Sequence, residues 1–209
     1  MNKQFGFLLY VVLSIGLMLT GCSNSTNGEI SAEQMPQGNL PDWTPSTSQL
    51  VDYASTAKVC GSTVVMPSGF KLHKDHNYPD FGVDVQWFHN IERDDSWFDV
   101  EVERGYTTNL TEELEGGVRG MQTLASDQWS SMRPEYGIVN GHTCLRTYWK
   151  GRTGSEVFHG FEYVTEAGSG ANTAVIKIYG RDYEPFSAAS MPSMDLAARR
   201  AIDKWDPTL

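Results

Sequence analysis

The sequence predicts an α+β domain: a mostly antiparallel sheet of about six strands, with a central and a C-terminal amphipathic helix packed on it. Three observations carry this reading. Short segments alternate apolar and polar residues with a period of two, as in Val83-Asp84-Val85-Gln86-Trp87 and Phe98-Asp99-Val100-Glu101-Val102. Two segments instead place apolar residues at helical spacing, Leu114 to Met132 and Met194 to Trp205. Strand runs with two such helices indicate helices laid on one antiparallel sheet.

The elements follow in chain order. Cys60 to Met66 is a short β-prone run that ends at the turn Pro67-Ser68-Gly69. Val83 to Phe88 and Phe98 to Glu103 read as two strands, each with one wet face, joined through the charged loop Ile91 to Ser96. In the central helix Leu114, Val118, Met121, Ala125, Trp129 and Met132 share one face. Asn109 or Thr111 caps its start and Pro134 stops it. Gly116, Gly117 and Gly120 weaken it, each by about 1 kcal/mol relative to alanine.

Asn140-Gly141 is a hairpin signal between Ile138-Val139 and the strand His142 to Trp149. Glu156 to Val164 and Ala174 to Tyr179 continue the sheet around the loop Gly168-Ser169-Gly170. Met194, Ala197, Ala198, Ala201, Ile202 and Trp205 form the stripe of the last helix, which Pro207 ends.

The N-terminus has a different character. Lys3 precedes an uncharged run from Phe5 to Leu19, the length of a signal-peptide core and short of the roughly 20 residues that span a membrane. Leu19-Thr20-Gly21-Cys22 resembles a bacterial lipobox. That resemblance implies a diacylglycerol on the Cys22 sulfur and cleavage before Cys22, with residues 1–21 removed. Two or three acyl chains give stable anchoring where one does not. Ser23, in place of an aspartate, implies the periplasmic face of the outer membrane rather than the inner membrane in a cell with two membranes.

Residues 22–57 are rich in Ser, Thr, Asn, Gln, Gly and Pro, with four acids and no Lys or Arg. Such a composition reads as a flexible tether, about 30 Å from end to end. Trp43 within it is expected to make no fixed contact. A single domain then covers residues 58–209.

Removing the signal takes away one lysine and no acid, so the formal charge goes from −10 to −11. An acidic chain is repelled by nucleic acid and by anionic head groups. With Cys22 lipidated, Cys60 and Cys144 remain, and an exported pair of this kind commonly forms a disulfide. In the chain-entropy model such a bridge stabilises by about 4–5 kcal/mol. Two buried, unpaired thiols are the alternative.

Chemistry-bearing motifs are sparse. His73 and His76 bracket Asp75 and could share an ion, but zinc needs three or four convergent ligands, so a solvated polar turn is the simpler reading. His89, His142 and His159 lie in or at the ends of strands with no partner in the local sequence. Ser68-Gly69-Phe70-Lys71 matches Ser-x-x-Lys only in letters, since Pro67 and Gly69 make a turn where that chemistry needs a helix start. Glu92, Asp94 and Asp95 lack calcium-loop spacing. Glu112, Glu113 and Glu115 complement the dipole of the helix they open. Trp87, Trp97 and Trp149 are strand residues that would be binding platforms on an open face.

Met66-Pro67-Ser68-Gly69-Phe70, the Asn140-Gly141 hairpin and the final helix from Met194 to Trp205 resemble the PsbP-like (DcrB-like) domains over residues 58–209. The resemblance implies a non-enzymatic accessory or binding domain and carries over no catalytic residue, metal or cofactor. A cystatin-like α+β fold is the alternative. The expected function is that of a lipid-anchored envelope protein contacting a protein partner. A small-molecule or metal-binding lipoprotein comes second and a hydrolase third. For the hydrolase, the sign would be a pocket with His159 or His142 beside a carboxylate.

Overall fold

A computed structural model describes residues 39–46, 53–59, 62–67, 69–78, 82–93, 95–105, 109–167 and 173–206. The chain divides into two compact units, Met1–Gln37 and Gly38–Leu209, and every described residue belongs to the second. The lipobox, Cys60, Ser68, Asp94 and the loop 168–170 lie outside the described residues, as does the His76 side chain. Among the described residues no helix is long and apolar enough to cross a membrane.

The described residues form ten strands and two helices: β1 Tyr53–Val59, β2 Ser62–Pro67, β3 Phe70–Tyr78, β4 Val83–Asn90, β5 Trp97–Arg104, α1 Leu110–Gln122, β6 Gln128–Ser131, β7 Glu135–Val139, β8 His142–Thr153, β9 Glu156–Ala167, β10 Ala174–Tyr183 and α2 Ser187–Asp203. Strands β3 to β10 form one eight-stranded antiparallel sheet in the order β3-β4-β5-β10-β9-β8-β6, with β7 also on β8. β1 and β2 make a separate hairpin. The α+β architecture is the one the sequence predicts, with more strands than the six expected.

Period two sends alternate side chains to opposite faces. On one face Phe88, Phe98, Val100, Ile176, Ile178 and Phe161 pack against Met194, Ala197, Ala198, Ala201 and Ile202 of α2, with Trp205 just past the helix end. On the other, Leu114 of α1 meets Leu145, Val164 and Val175, and Met121 meets Trp149 and Phe158. Full burial of the Val, Leu, Ile, Phe and Met side chains among these contributes about 1.5–3 kcal/mol each.

The local signals hold where they are strong. Asn140 (φ 47°) and Gly141 (φ 83°) turn β7 into β8 with both central residues left-handed, as a two-residue hairpin of this type requires. The Asn109 side chain caps α1 by accepting from the backbone N–H groups of Thr111 and Glu112.

Four expectations change. The central helix stops at Gln122, and Gln128–Ser131 is a strand on β8, so Trp129 stacks on Trp149 at 5.4 Å instead of riding a helix face. Met132 is exposed. The helical spacing continued, but Ser126 and Asp127 break the backbone there, and β8 offers β6 its hydrogen bonds. His73 and His76 belong to strand β3, not to a polar turn; a bulge lies between Leu72 and Lys74, and His76 stands opposite Val85. The acidic side of β5 is not wet, since Asp99 and Glu103 are buried. The stretch read as a tether, residues 22–57, runs into β1, which starts at Tyr53, and residues 41–43 are hydrogen-bonded to β7.

Candidate functional site

Trp43 is the centre of the first constellation. The backbone of 41–43 runs parallel to β7: Trp43 N–H donates to the Ile138 carbonyl at 2.7 Å, and Ile138 N–H donates to the Pro41 carbonyl at 2.9 Å. The Thr44 hydroxyl accepts from Asn140 N–H at 2.8 Å. Arg199 Nη1 donates to the Trp43 carbonyl at 3.1 Å, and Arg200 donates to that of Ser46.

The indole is 9% exposed and sits in a built seat. Gly137 forms its floor, where any Cβ would collide with the ring. The Arg146 guanidinium lies 3.8 Å from the ring centroid, a cation–π contact, and Tyr163 meets the indole edge-on at 6.2 Å. The expectation that Trp43 makes no fixed contact is therefore corrected. Composition described the segment, while the seat is assembled from β7, β8 and β9.

Behind the seat a polar network locks the walls. The hydroxyls of Tyr148 and Tyr163 both donate to Asp195 Oδ1 at 2.7 Å, and Arg199 Nε donates to Asp195 Oδ2 at 3.0 Å. Arg146 bridges the Tyr163 oxygen (3.2 Å) and Glu135 (3.2 Å). Burial, followed by the Asp195 charge, pushes the Tyr148 phenol up to about 12, so it stays a donor. The arrangement grips one extended segment by main-chain hydrogen bonds and one aromatic ring, the logic of strand addition at a sheet edge.

The second constellation is a charge cluster between α1 and the sheet. Lys177 Nζ, on β10, lies 2.6 Å from Glu103, 3.0 Å from Glu101 and 3.4 Å from Glu113. Burial alone would lower the Lys177 pKa, but the three carboxylates overcome it and hold the ammonium charged. Burial raises Glu103 to about 7, helped by Glu101, while at Glu101 burial is the largest single effect but Lys177 and a hydrogen bond with Glu103 together overcome it and keep the carboxylate ionised. Asp99 is raised to about 8 by burial, against the pull of Arg181. Glu162 is fully buried on β9, next to Tyr179 and beneath Gly117 of α1. No motif announces this cluster: its members come from β5, β9, β10 and α1.

The sequence-derived candidates are scattered. The bridge expected between Cys60 and Cys144 is not seen. Cys144 is a free, buried thiol that donates to the His142 carbonyl. His73 is paired by the fold with His89, ring centroids 4.6 Å apart, and Trp97 stands 5.2 Å from His73. Among the described residues no group of three or more His, Cys, Asp or Glu is arranged to hold a metal ion. His159 does sit beside a carboxylate, Glu184, at 2.8 Å, with Lys150 on the same oxygen at 3.1 Å. That trio is on the surface, with the Glu184 side chain 46% exposed, and no serine or cysteine hydrogen-bonds to His159 among the described residues. His142 stands against the ring of Trp205 at 5.7 Å, and burial lowers its pKa.

No protein-family model matches the chain, and no curated protein matches it. Several solved structures do. The cyanobacterial PsbP (CyanoP) of Synechocystis is 20% identical, over 67% of this chain and 85% of that one, with a TM-score of 0.49. LpqN of Mycobacterium tuberculosis, described as involved in cell envelope biogenesis, is 10% identical, over 65% of this chain and 77% of that one, with a TM-score of 0.44. The Ran-binding protein Mog1p of Saccharomyces cerevisiae is 13% identical, over 71% of this chain and 90% of that one, with a TM-score of 0.44.

Proposed function

We propose that this protein is a lipid-anchored accessory or binding module of the bacterial cell envelope, without catalytic activity, that works by contacting an envelope protein. In this reading residues 1–21 are a signal, Cys22 carries the lipid, and the folded part is a PsbP-like domain. The observation that carries the reading is the seating of Trp43. The segment that follows the lipobox is gripped by the domain, so the anchor is joined to one defined side, β7 and α2. Nineteen residues lie between Cys22 and Asp42, a leash of at most about 70 Å when fully extended. Such a leash keeps a domain near a membrane and fixes the side of the domain from which the tether leaves. The net charge of −11 after processing favours a protein partner over nucleic acid or an anionic bilayer.

The test is fractionation of cells expressing the natural chain and Cys22→Ser, with photo-crosslinkers placed on the domain surface. The natural chain should sediment with membranes and give a discrete crosslinked protein. C22S should lose the membrane fraction. Membrane association of C22S equal to that of the natural chain would overturn the anchor, and turnover of a substrate by the domain would overturn the non-catalytic part.

A second reading, binding of a metal ion or small molecule, rests on His73, His89 and Trp97 meeting across β3, β4 and β5. A rise in melting temperature with a divalent metal, abolished in His73→Ala, would favour it.

A further inference from the structure

Glu162 is placed where a carboxylate should not be. It sits in the middle of β9, between β8 and β10, with 0% exposure, and neither of its oxygens makes a hydrogen bond of normal geometry among the described residues, with the Tyr179 hydroxyl its neighbouring donor. Helix α1 lies directly over it. A Cβ at Gly117 would come within 2.6 Å of the Glu162 carboxyl carbon, so glycine lets the helix approach without pushing that buried carboxyl aside. That accounts for one of the three glycines that otherwise only weaken α1.

The groups facing this carboxyl come from every element around it. Lys177, Tyr179 and Arg181 lie on β10, Glu101, Glu103 and Asp99 on β5, and Glu113 on α1, while β8 presents Thr147 and Trp149. Lys177 is already shared by three carboxylates. Burial therefore prevails: it pushes Glu162 well above the usual carboxylate range, with Glu101 and Glu113 adding to it and Lys177 and the Tyr179 hydroxyl opposing. A neutral carboxyl fits beneath a helix backbone. An anion there, helped by no more than the Tyr179 hydroxyl and a Lys177 already shared by three carboxylates, does not.

We propose that Glu162 is a proton-operated latch for α1: protonated, it lets the helix seat across Gly117, and on losing that proton it drives the helix off the sheet. The helix is the part that yields. It carries Gly116, Gly117 and Gly120, and it buries only Leu114 and Met121 fully, whereas β9 is held by ladders on both sides. Lifting α1 uncovers Leu145, Val164 and Val175, an apolar face that is closed in the protonated form.

The test is amide hydrogen exchange of the full-length protein, corrected for the intrinsic rate, from about pH 5 to about pH 9. In the natural chain, protection of residues 110–122 should fall at least about tenfold across that range while β9 and β10 keep theirs. Glu162→Gln should hold α1 protected throughout. Unchanged protection in the natural chain, or the same fall in E162Q, overturns the proposal. If E162Q does not fold, the carbon-13 shift of the Glu162 carboxyl in the natural chain decides. Titration above the bulk of the glutamates supports the latch, and a midpoint near the ordinary value of about 4.3 overturns it.

Discussion

The guanidinium of Arg146 lies 3.8 Å from the ring centroid of Trp43, and this contact joins a strand of the sheet to a segment that composition alone describes as linker. The same arginine donates to Tyr163, whose hydroxyl bonds Asp195 on α2. The seat, the sheet and the C-terminal helix therefore form one connected unit.

Trp43→Ala should empty the seat between Gly137, Arg146 and Tyr163. Loss of a buried aromatic costs about 3 kcal/mol. The urea midpoint should fall accordingly, and limited proteolysis should open the chain at residues 39–46. A variant as stable and as protease-resistant as the natural chain would show that the ring contributes nothing.

Removing the cation of the buried cluster should be harsher at neutral pH than in acid. Lys177→Ala leaves Glu101, Glu103 and Glu113 facing one another without a counter-charge. Breaking a buried pair this way costs about 3–5 kcal/mol. As pH falls toward about 5 the carboxylates take up protons and part of the loss should return. Denaturation midpoints of the variant and the natural chain at the two pH values measure this.

Asp99 sets a stability slope of definite sign. Burial raises its folded value to about 8, while the unfolded value is about 4. The folded state thus holds this proton more tightly. Its stabilising effect is complete below about pH 4 and is lost as pH rises through about 8. Asp99→Asn, which has no proton to lose, should be less sensitive to pH across that window. Equal slopes in the two proteins would show that Asp99 is ionised in the fold.

Cys144 should be silent toward thiol reagents in the folded protein. Burial pushes its thiol up to about 11, and the side chain is enclosed in the core beneath α2. The thiolate is the reactive form. Alkylation should proceed only in denaturant, and without reductant. A Cys144 that resists alkylation even after unfolding would be bridged to Cys60 instead of free.

Local conformational chemistry was legible in the residues themselves. Period-two alternation identified β4 and β5, Asn140-Gly141 identified the β7–β8 turn, and the pair Asn109 or Thr111 bracketed the start of α1, because each rests on the conformational preference of a few neighbouring residues. The end of α1 was not legible. Ala125, Trp129 and Met132 kept helical spacing, and only the hydrogen bonds that β8 offers to residues 128–131 made that stretch a strand. Trp43 read as linker because its seat is built from residues about a hundred positions away. The acidic side of β5 read as solvated because its counter-ion, Lys177, comes from a strand more than seventy residues later. Burial of charge and the docking of a strap depend on which distant groups meet, and the tertiary structure alone decides that.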